Sequence, residues 1–485
     1  MGNKDLLSRN YSMLTDAYEL FMASAYNKDM KGVEGVFDLF YRVVPNGGGY
    51  TIMAGLDKVI DYVKNLKFTD EDIEYFKNSG YNFNDDFLEF LRNFKFSGDI
   101  YAIPDGTPVF PNEPLITVKA PIIEAQLLET AILSMVNGAK EHATGARRIV
   151  EATPKDVKIM EFGARRADGV EAAIDASRYA IMAGCAGTSN VLAAQMLGIK
   201  ALGTMAHSYV ESFDDELEAF KSFATTYPDN ATLLVDTYDT LRSGVKNAIK
   251  TFDYMKEVGL PTNKIGIRID SGDLAYLTKQ ARKMLDEAGY ENAKICISNG
   301  LSAETIESLK AQGACFDSIG VGDNISKPSG RMGGVYKLVA TIKDNKITPK
   351  IKISNDIIKI VNPDFKDLYR AYDKDTGYAL ADIMCSRNKK IDERNIEIVS
   401  LSDLISSTNI ENYKLVKLQK QIFKDGRLVY DDPDLFEKQK YCNEQMQTLY
   451  PEVKRTLNPH VYYVDGTREY ADLKSEMILA HKKNY

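Results

Sequence analysis

Between residues 157 and 322 of this 485-residue chain, six short apolar runs each lead into side chains that can do chemistry. VKIMEF is followed by Arg165 and Arg166, IKALGTMA by His207 and Ser208, and ATLLVD ends in Asp236 with Asp239 three residues on. KIGIRID contains Arg268 and Asp270, KICIS runs into Asn299 and Gly300, and FDSIGVG carries Gly320 and Gly322 just before Asp323. Arginines can fork onto a carboxylate or phosphate. Glycines let backbone N–H groups approach an anion closely. The aspartates can bind ribose hydroxyls or a magnesium-held diphosphate. Taken together, the residue types describe a mouth for a carboxylate and phosphates. His207 is one of only four histidines, and an imidazole titrating near neutrality can serve as a nucleophile. Alone, it reads equally well as a histidine satisfied by a neighbouring carbonyl. Asp273 reads in part as a helix N-cap.

Six such run ends can share one mouth only if the runs are parallel strands. Each run is β-branched and is followed by a polar knot and a segment of helical period, which is the rhythm of βαβ units in a barrel or a doubly wound sheet. In those folds ligands gather at the carboxyl ends of the strands. His207, ending the expected strand ALGTMA, would point into the same mouth. The first third of the chain has α+β character. Leu14, Tyr18, Phe21, Met22 and Ala25 recur at helical spacing behind Thr15 and Asp16, and GVFDLFYRVV (35–44) reads as a strand before the turn PNGGGY. Leu56, Val59, Ile60 and Val63 mark a helix, short strands are expected near 96–103 and 115–119, and a long helical stretch opens at Pro121. The expected domains are 1–135, a barrel over 136–340, and a segment 341–485 that partly completes the first.

Composition narrows the partners. At 44% apolar and 27% charged, the chain has an ordinary globular make-up, enough for two to four domains. A net charge of −8 argues against nucleic acid, whose binders carry a basic face. The five cysteines have no CxxC spacing, so neither a disulfide framework nor a zinc site is expected. No apolar run approaches the ~18 residues of a membrane span, and MGNKDLLSRNYSML lacks the apolar core of a secretory signal. A cytoplasmic location is the expectation.

TDAYELFMASAY, EFGARRADG, GTSNVLAAQMLG, GTMAHSYV, GIRIDSGDL and GGVYKLVA closely resemble the nicotinate phosphoribosyltransferases, from Tyr11 to LNPHVYY near 463. That resemblance implies an α/β protein: an irregular barrel of about seven strands plus an open α/β domain built from both chain ends. It implies a homodimer with shared active sites. The implied reaction joins nicotinate to 5-phosphoribosyl 1-diphosphate, giving nicotinate mononucleotide and diphosphate, with Mg2+ as cofactor and ATP as co-substrate. The metal ligands are left open.

By matching motifs, the resemblance makes His207 the residue that ATP phosphorylates. Tyr18 would cross from the partner subunit to stack on the pyridine ring that Phe162 covers from the other side. Arg268 and Arg165 would meet nicotinate, with Thr204 near the ring and Thr188 and Ser189 at a helix start. Nicotinamide-using relatives carry an aspartate in place of Ser189. Asn299, Gly300, Gly320 and Gly322 would cradle the 5-phosphate, with Ser208, Asp323 and Lys337 beside it. Asp236, Asp239 and Asp270 would fix ribose hydroxyls and offset an oxocarbenium-like charge. Two departures stand out: Asp323 takes the place of a hydroxyl residue, and Gly145 replaces a commonly basic position in the frame Ala143, Thr144, Ala146, Arg147. Competing readings are a nicotinamide-using relative, a quinolinate-using one and a non-enzymatic nucleotide-binding relative. A Schiff-base aldolase is disfavoured, because none of the six run ends supplies a lysine.

Overall fold

The apolar runs of the central segment are too short for stable helices, and they pair instead as parallel strands. In the computed structural model, which describes residues 10–354, 359–392 and 394–483, the chain divides into two compact units, 142–329 and the two flanking portions together. The central unit is built on a six-stranded parallel sheet. From edge to edge the order is Gly187–Thr188, Lys158–Glu161, Ser318–Val321, Lys294–Ile297, Ile265–Ile269 and Ala231–Leu234. Register pairs Thr188 with Glu161 and Glu161 with Val321, so these strands end level with one another. Helices Val170–Met182, Val245–Glu257, Leu274–Glu287 and Ala303–Ala311 connect successive strands. Ile159, Leu233, Ile267, Ile295 and Ile319 form the buried centre between them.

One expected strand does not form. Residues 201–206 of IKALGTMA lie outside any ladder, and His207 is the first residue of helix His207–Glu211 rather than the end of a strand. A glycine in mid-run gives the segment nothing to pack at that point and weakens strand pairing. The segment still touches both edges of the sheet. Leu202 N–H donates to the Thr188 carbonyl at 2.9 Å, and the Asn230 side chain donates to the Gly203 carbonyl at 3.2 Å, just before strand Ala231–Leu234. An irregular stave thus fills the seventh place of the expected barrel.

The flanking unit is built around strand Glu34–Tyr41, antiparallel to Gly334–Lys343 on one side and to Ile116–Pro121 on the other. These belong to a seven-stranded sheet that also takes in Lys420–Lys424 and Arg427–Leu428, and the other described strands beyond residue 365 form a six-stranded sheet. Strand Asp99–Ala102 and helix Leu56–Asn65 form where the sequence places them. The helical stretch after Pro121 divides into Ile122–Gln126 and Glu129–Ala152. In helix Ala17–Asp29 it is Leu20 and Ala23 that enter the core, whereas Tyr18, Phe21 and Met22 are exposed. The mixed α/β class is as expected, with a parallel half-barrel and open sheets. None of the five cysteines forms a disulfide, and no described helix is long and apolar enough to cross a membrane. Most of the stretch read as lacking a secretory signal, residues 1–9, lies outside the described residues.

Candidate active site

At the carboxyl end of the parallel sheet, a cavity of about 310 Å³ is lined by Phe162, Arg165, Ser189, Thr204 and Arg268. These five come from four separate stretches of sequence and are the residues expected to hold a pyridine carboxylate. Gly203, Met205 and Ala206 of the irregular stave complete the wall, a contribution the sequence reading missed because it placed them inside a strand.

Arg268 is held rigidly. Its Nε donates to Ser298 Oγ at 2.8 Å, Nη2 to Asp270 Oδ1 at 2.9 Å and Nη1 to Thr204 Oγ1 at 3.3 Å. A guanidinium has five N–H donors, so two remain for a ligand. Its carbon lies 5.5 Å from the centre of the Phe162 ring, so cation and aromatic wall sit side by side. Phe162 can occupy that place because its neighbour is glycine. A Cβ built on Gly320 would meet two atoms of the ring at 2.4 Å. Gly320 therefore makes room for the aromatic wall, a different use from the expected phosphate cradle.

His207, Asp236 and Asp270 come together beside this cavity wall. His207 Nδ1 lies 3.1 Å from Thr237 Oγ1 and Nε2 lies 3.8 Å from Asp270 Oδ2. Asp270 Oδ1 also accepts from Ser298 Oγ, so this carboxylate links the histidine to Arg268. Asp236 Oδ2 accepts from the Asp270 N–H at 2.9 Å and from Ser271 Oγ at 2.6 Å, while its Oδ1 is buried with no hydrogen-bond partner among the described residues. Thr237, Ser271 and Ser298, absent from the expected set, are each next to an expected residue. The signal for them was adjacency.

Other expected residues fall elsewhere. Asp239 caps a helical turn, its Oδ1 accepting from the N–H groups of Leu241 and Arg242 at 3.2 and 2.8 Å. Asp273 caps helix Leu274–Glu287, as expected. Thr188 is fully buried, with its hydroxyl 2.6 Å from Glu161 Oε2, so it stands behind the cavity wall rather than on it. Asn190, not Ser189, caps helix Val191–Leu197, which leaves the Ser189 side chain to the cavity. Asn299 (φ 95°) and Gly300 (φ 57°) form an exposed left-handed turn after strand Lys294–Ile297. Asp323 begins a short helix after Gly322 and lies 3.4 Å from Arg166 Nε, so its charge is partnered. Ser208 is exposed on the helix begun by His207. Tyr18 and Lys337 belong to the flanking unit, and both approach Glu129. Lys337 Nζ is 3.8 Å from Glu129 Oε1; burial first, then Glu129, pushes the Tyr18 phenol up.

The fold and site together define an α/β half-barrel protein whose mouth sets an arginine and paired aspartates beside an aromatic wall, an arrangement suited to an anion held against a ring. Comparisons with known proteins make the class specific. Three family models match: the nicotinate phosphoribosyltransferase N-terminal domain over residues 13–137, the nicotinate phosphoribosyltransferase family over 157–374 and the C-terminal domain over 365–474. The chain is 41% identical to the nicotinate phosphoribosyltransferase of Bacillus subtilis, over 96% of this chain and 95% of that one. It is 34% identical to the nicotinate phosphoribosyltransferase of Caenorhabditis elegans, covering 93% and 90%. The crystal structure of human nicotinic acid phosphoribosyltransferase superposes with a TM-score of 0.83 at 26% identity, covering 96% of this chain and all of that one. The chain belongs to the nicotinate phosphoribosyltransferase family.

Proposed function

We propose that the protein transfers the phosphoribosyl group of 5-phosphoribosyl 1-diphosphate to nicotinate in NAD salvage, in the cytoplasm, and couples the transfer to ATP through a phosphohistidine. The observation that carries this reading is the single cavity that gathers Phe162, Arg165, Ser189, Thr204 and Arg268. A pyridine ring has Phe162 to stack on, and its carboxylate has the free donors of Arg268 with Arg165 and Ser189 nearby. The ring nitrogen's lone pair forms the new bond to the anomeric carbon as the bond to diphosphate breaks, and that electron pair leaves with diphosphate. No general base is required. Asp236 and Asp270 hold ribose hydroxyls and oppose the developing positive charge.

No described cluster of three or more histidine, cysteine or acidic side chains is arranged to hold a metal unaided. The free Oδ1 of Asp236 and the carboxylate of Asp270 nevertheless suit Mg2+ that arrives bound to the diphosphate, which takes one or two carboxylates plus phosphate oxygens. When bound there, the ion would neutralise charge on the leaving group.

In the coupling step, Nε2 of His207 attacks the γ-phosphorus of ATP, ADP departs and water later removes the phosphoryl group. Thr237 at Nδ1 fixes the ring for this role. Radiolabel from γ-labelled ATP is expected on the protein as an acid-labile, base-stable adduct. His207→Ala should lose ATP stimulation of nicotinate mononucleotide formation while retaining uncoupled transfer at high substrate. Label persisting in the variant would overturn the assignment.

The proposal includes a homodimer in which Tyr18 of a second copy faces Phe162 across the pyridine. The exposed Tyr18, Phe21 and Met22 face of helix Ala17–Asp29 supports it. Heterodimers of inactive Tyr18→Ala and Arg268→Ala protomers should regain part of the activity, and verified heterodimers with none would count against it.

A further inference from the structure

Glu161 is a fully buried carboxylate at the end of strand Lys158–Glu161, with no ion-pair partner among the described residues. A buried carboxylate needs donors to offset its lost hydration. Here one oxygen accepts from the Gly163 N–H; the other accepts from Ser177 Oγ at 2.9 Å and Thr188 Oγ1 at 2.6 Å. The backbone carbonyl of Glu161 also accepts the Ser189 N–H at 2.9 Å. Ser177 ties the carboxylate to helix Val170–Met182, and the other contacts lead to the cavity wall. The turn held through Gly163 carries Phe162 and Arg165, and the strand held through Thr188 carries Ser189.

We propose that Glu161 is a positioning residue for the pyridine pocket, tying the Phe162–Arg165 turn to the Thr188–Ser189 strand so that aromatic wall and anion-facing groups keep one spacing. This rests on the reading of the cavity as the nicotinate site. The carboxylate does not touch substrate; it acts through Gly163, Ser177 and Thr188. Because none of those donors bonds to the turn at Asn299 and Gly300, loosening them should change nicotinate binding and leave that phosphate turn alone.

The shape-conserving variant Glu161→Gln keeps one acceptor for the Gly163 N–H. Its amide can face the two hydroxyls, which can turn, since Ser177 Oγ already lies 3.0 Å from the Ala173 carbonyl. Glu161→Ala removes every acceptor. Thr188→Val removes one donor to Glu161, together with the acceptor of the Asn190 N–H, with little change of shape, and remains informative if Glu161→Ala fails to fold. With wild type as reference, KM for nicotinate, KM for 5-phosphoribosyl 1-diphosphate, kcat and calorimetric nicotinate affinity are measured. Displacing a wall by an ångström costs on the order of a hundredfold in rate, and a partial loosening should raise the nicotinate KM about tenfold in Glu161→Ala. Thr188→Val should raise it less, Glu161→Gln should recover most of the loss, and the phosphoribosyl donor's KM should stay within about twofold throughout. If the variants lose thermal stability while nicotinate affinity and both KM values stay at wild-type levels, Glu161 is structural only and the proposal is wrong. Wild type that neither binds nicotinate nor forms the mononucleotide would instead overturn the reading of the cavity.

Discussion

Gly320→Ala tests how the pyridine pocket gets its aromatic wall. The added methyl would lie 2.4 Å from two atoms of the Phe162 ring, whereas unstrained carbon contacts fall at about 3.5–4.0 Å, so the ring must retreat by roughly 1 Å or more. Gly320 lies in a buried strand beside Lys158–Glu161, paired with Met160, so backbone on that side cannot easily yield. The ring retreats instead from the strand that now crowds it, disturbing a wall shared with Arg268. Overpacking of this kind costs about 1–3 kcal/mol, at about 2–4 °C of Tm per kcal/mol for a unit of this size. A wall displaced by about 1 Å should lower kcat/KM for nicotinate by ten- to a hundredfold. The KM for the phosphoribosyl donor should hardly move. Steady-state kinetics with each substrate varied, beside differential scanning calorimetry, gives both answers. Combining Gly320→Ala with Phe162→Leu should restore stability, because the shorter side chain vacates the clash, without restoring nicotinate affinity. A rise confined to the donor's KM would refute this reasoning and return Gly320 to the phosphate cradle.

Gly145→Lys should destabilise the protein by about 1–3 kcal/mol and raise the donor's KM, because a Cβ there would meet the Asn324 carbonyl at 2.6 Å in the short helix beside Gly322; chemical denaturation and kinetics check it. Ser189→Asp should raise the nicotinate KM more than about tenfold by setting like charges together in the cavity, and should improve relative use of nicotinamide; kcat/KM for both pyridines reads this out. Lys474 is buried, with its pKa lowered to about 8 chiefly by desolvation and secondarily by Lys366. Above about pH 8 the unfolded chain keeps this proton until about pH 10.4, so the unfolded state binds more protons and stability attributable to Lys474 should rise with pH across that interval. Denaturation of wild type against Lys474→Met at pH 7.5 and 9.5 should show the difference shifting towards wild type.

The strands of the central unit were legible because each combines β-branched residues with a polar knot, and five of the six anticipated runs became strands. IKALGTMA misled because its hydrophobic content resembles a strand's, while pairing depends on neighbours that sequence does not display. Gly187–Thr188 is a strand by virtue of its partner Lys158–Glu161, not of its own two residues. Phe162, Arg165, Ser189, Thr204 and Arg268 could be named in advance because their motifs are long. Asp239 and Thr188 belong to the same motifs but serve the backbone and Glu161, and the direction of a side chain is fixed by tertiary contacts. Glu161 itself looked like part of a buried strand. Gly145 looked like a loss relative to the family's basic residue, and its reason lies in a carbonyl contributed from residue 324.

The irregular stave has one more consequence. Among the described residues, the N–H groups of Gly203, Thr204, Met205 and Ala206 donate to no backbone carbonyl, although these residues line the cavity and lead directly into His207. Amides outside a ladder exchange with solvent through small local openings rather than through global unfolding. This wall should therefore be the fastest-exchanging part of the pocket in deuterated water. Occupancy of the cavity should slow it, making exchange at 203–206 a clock for ligand residence next to the histidine.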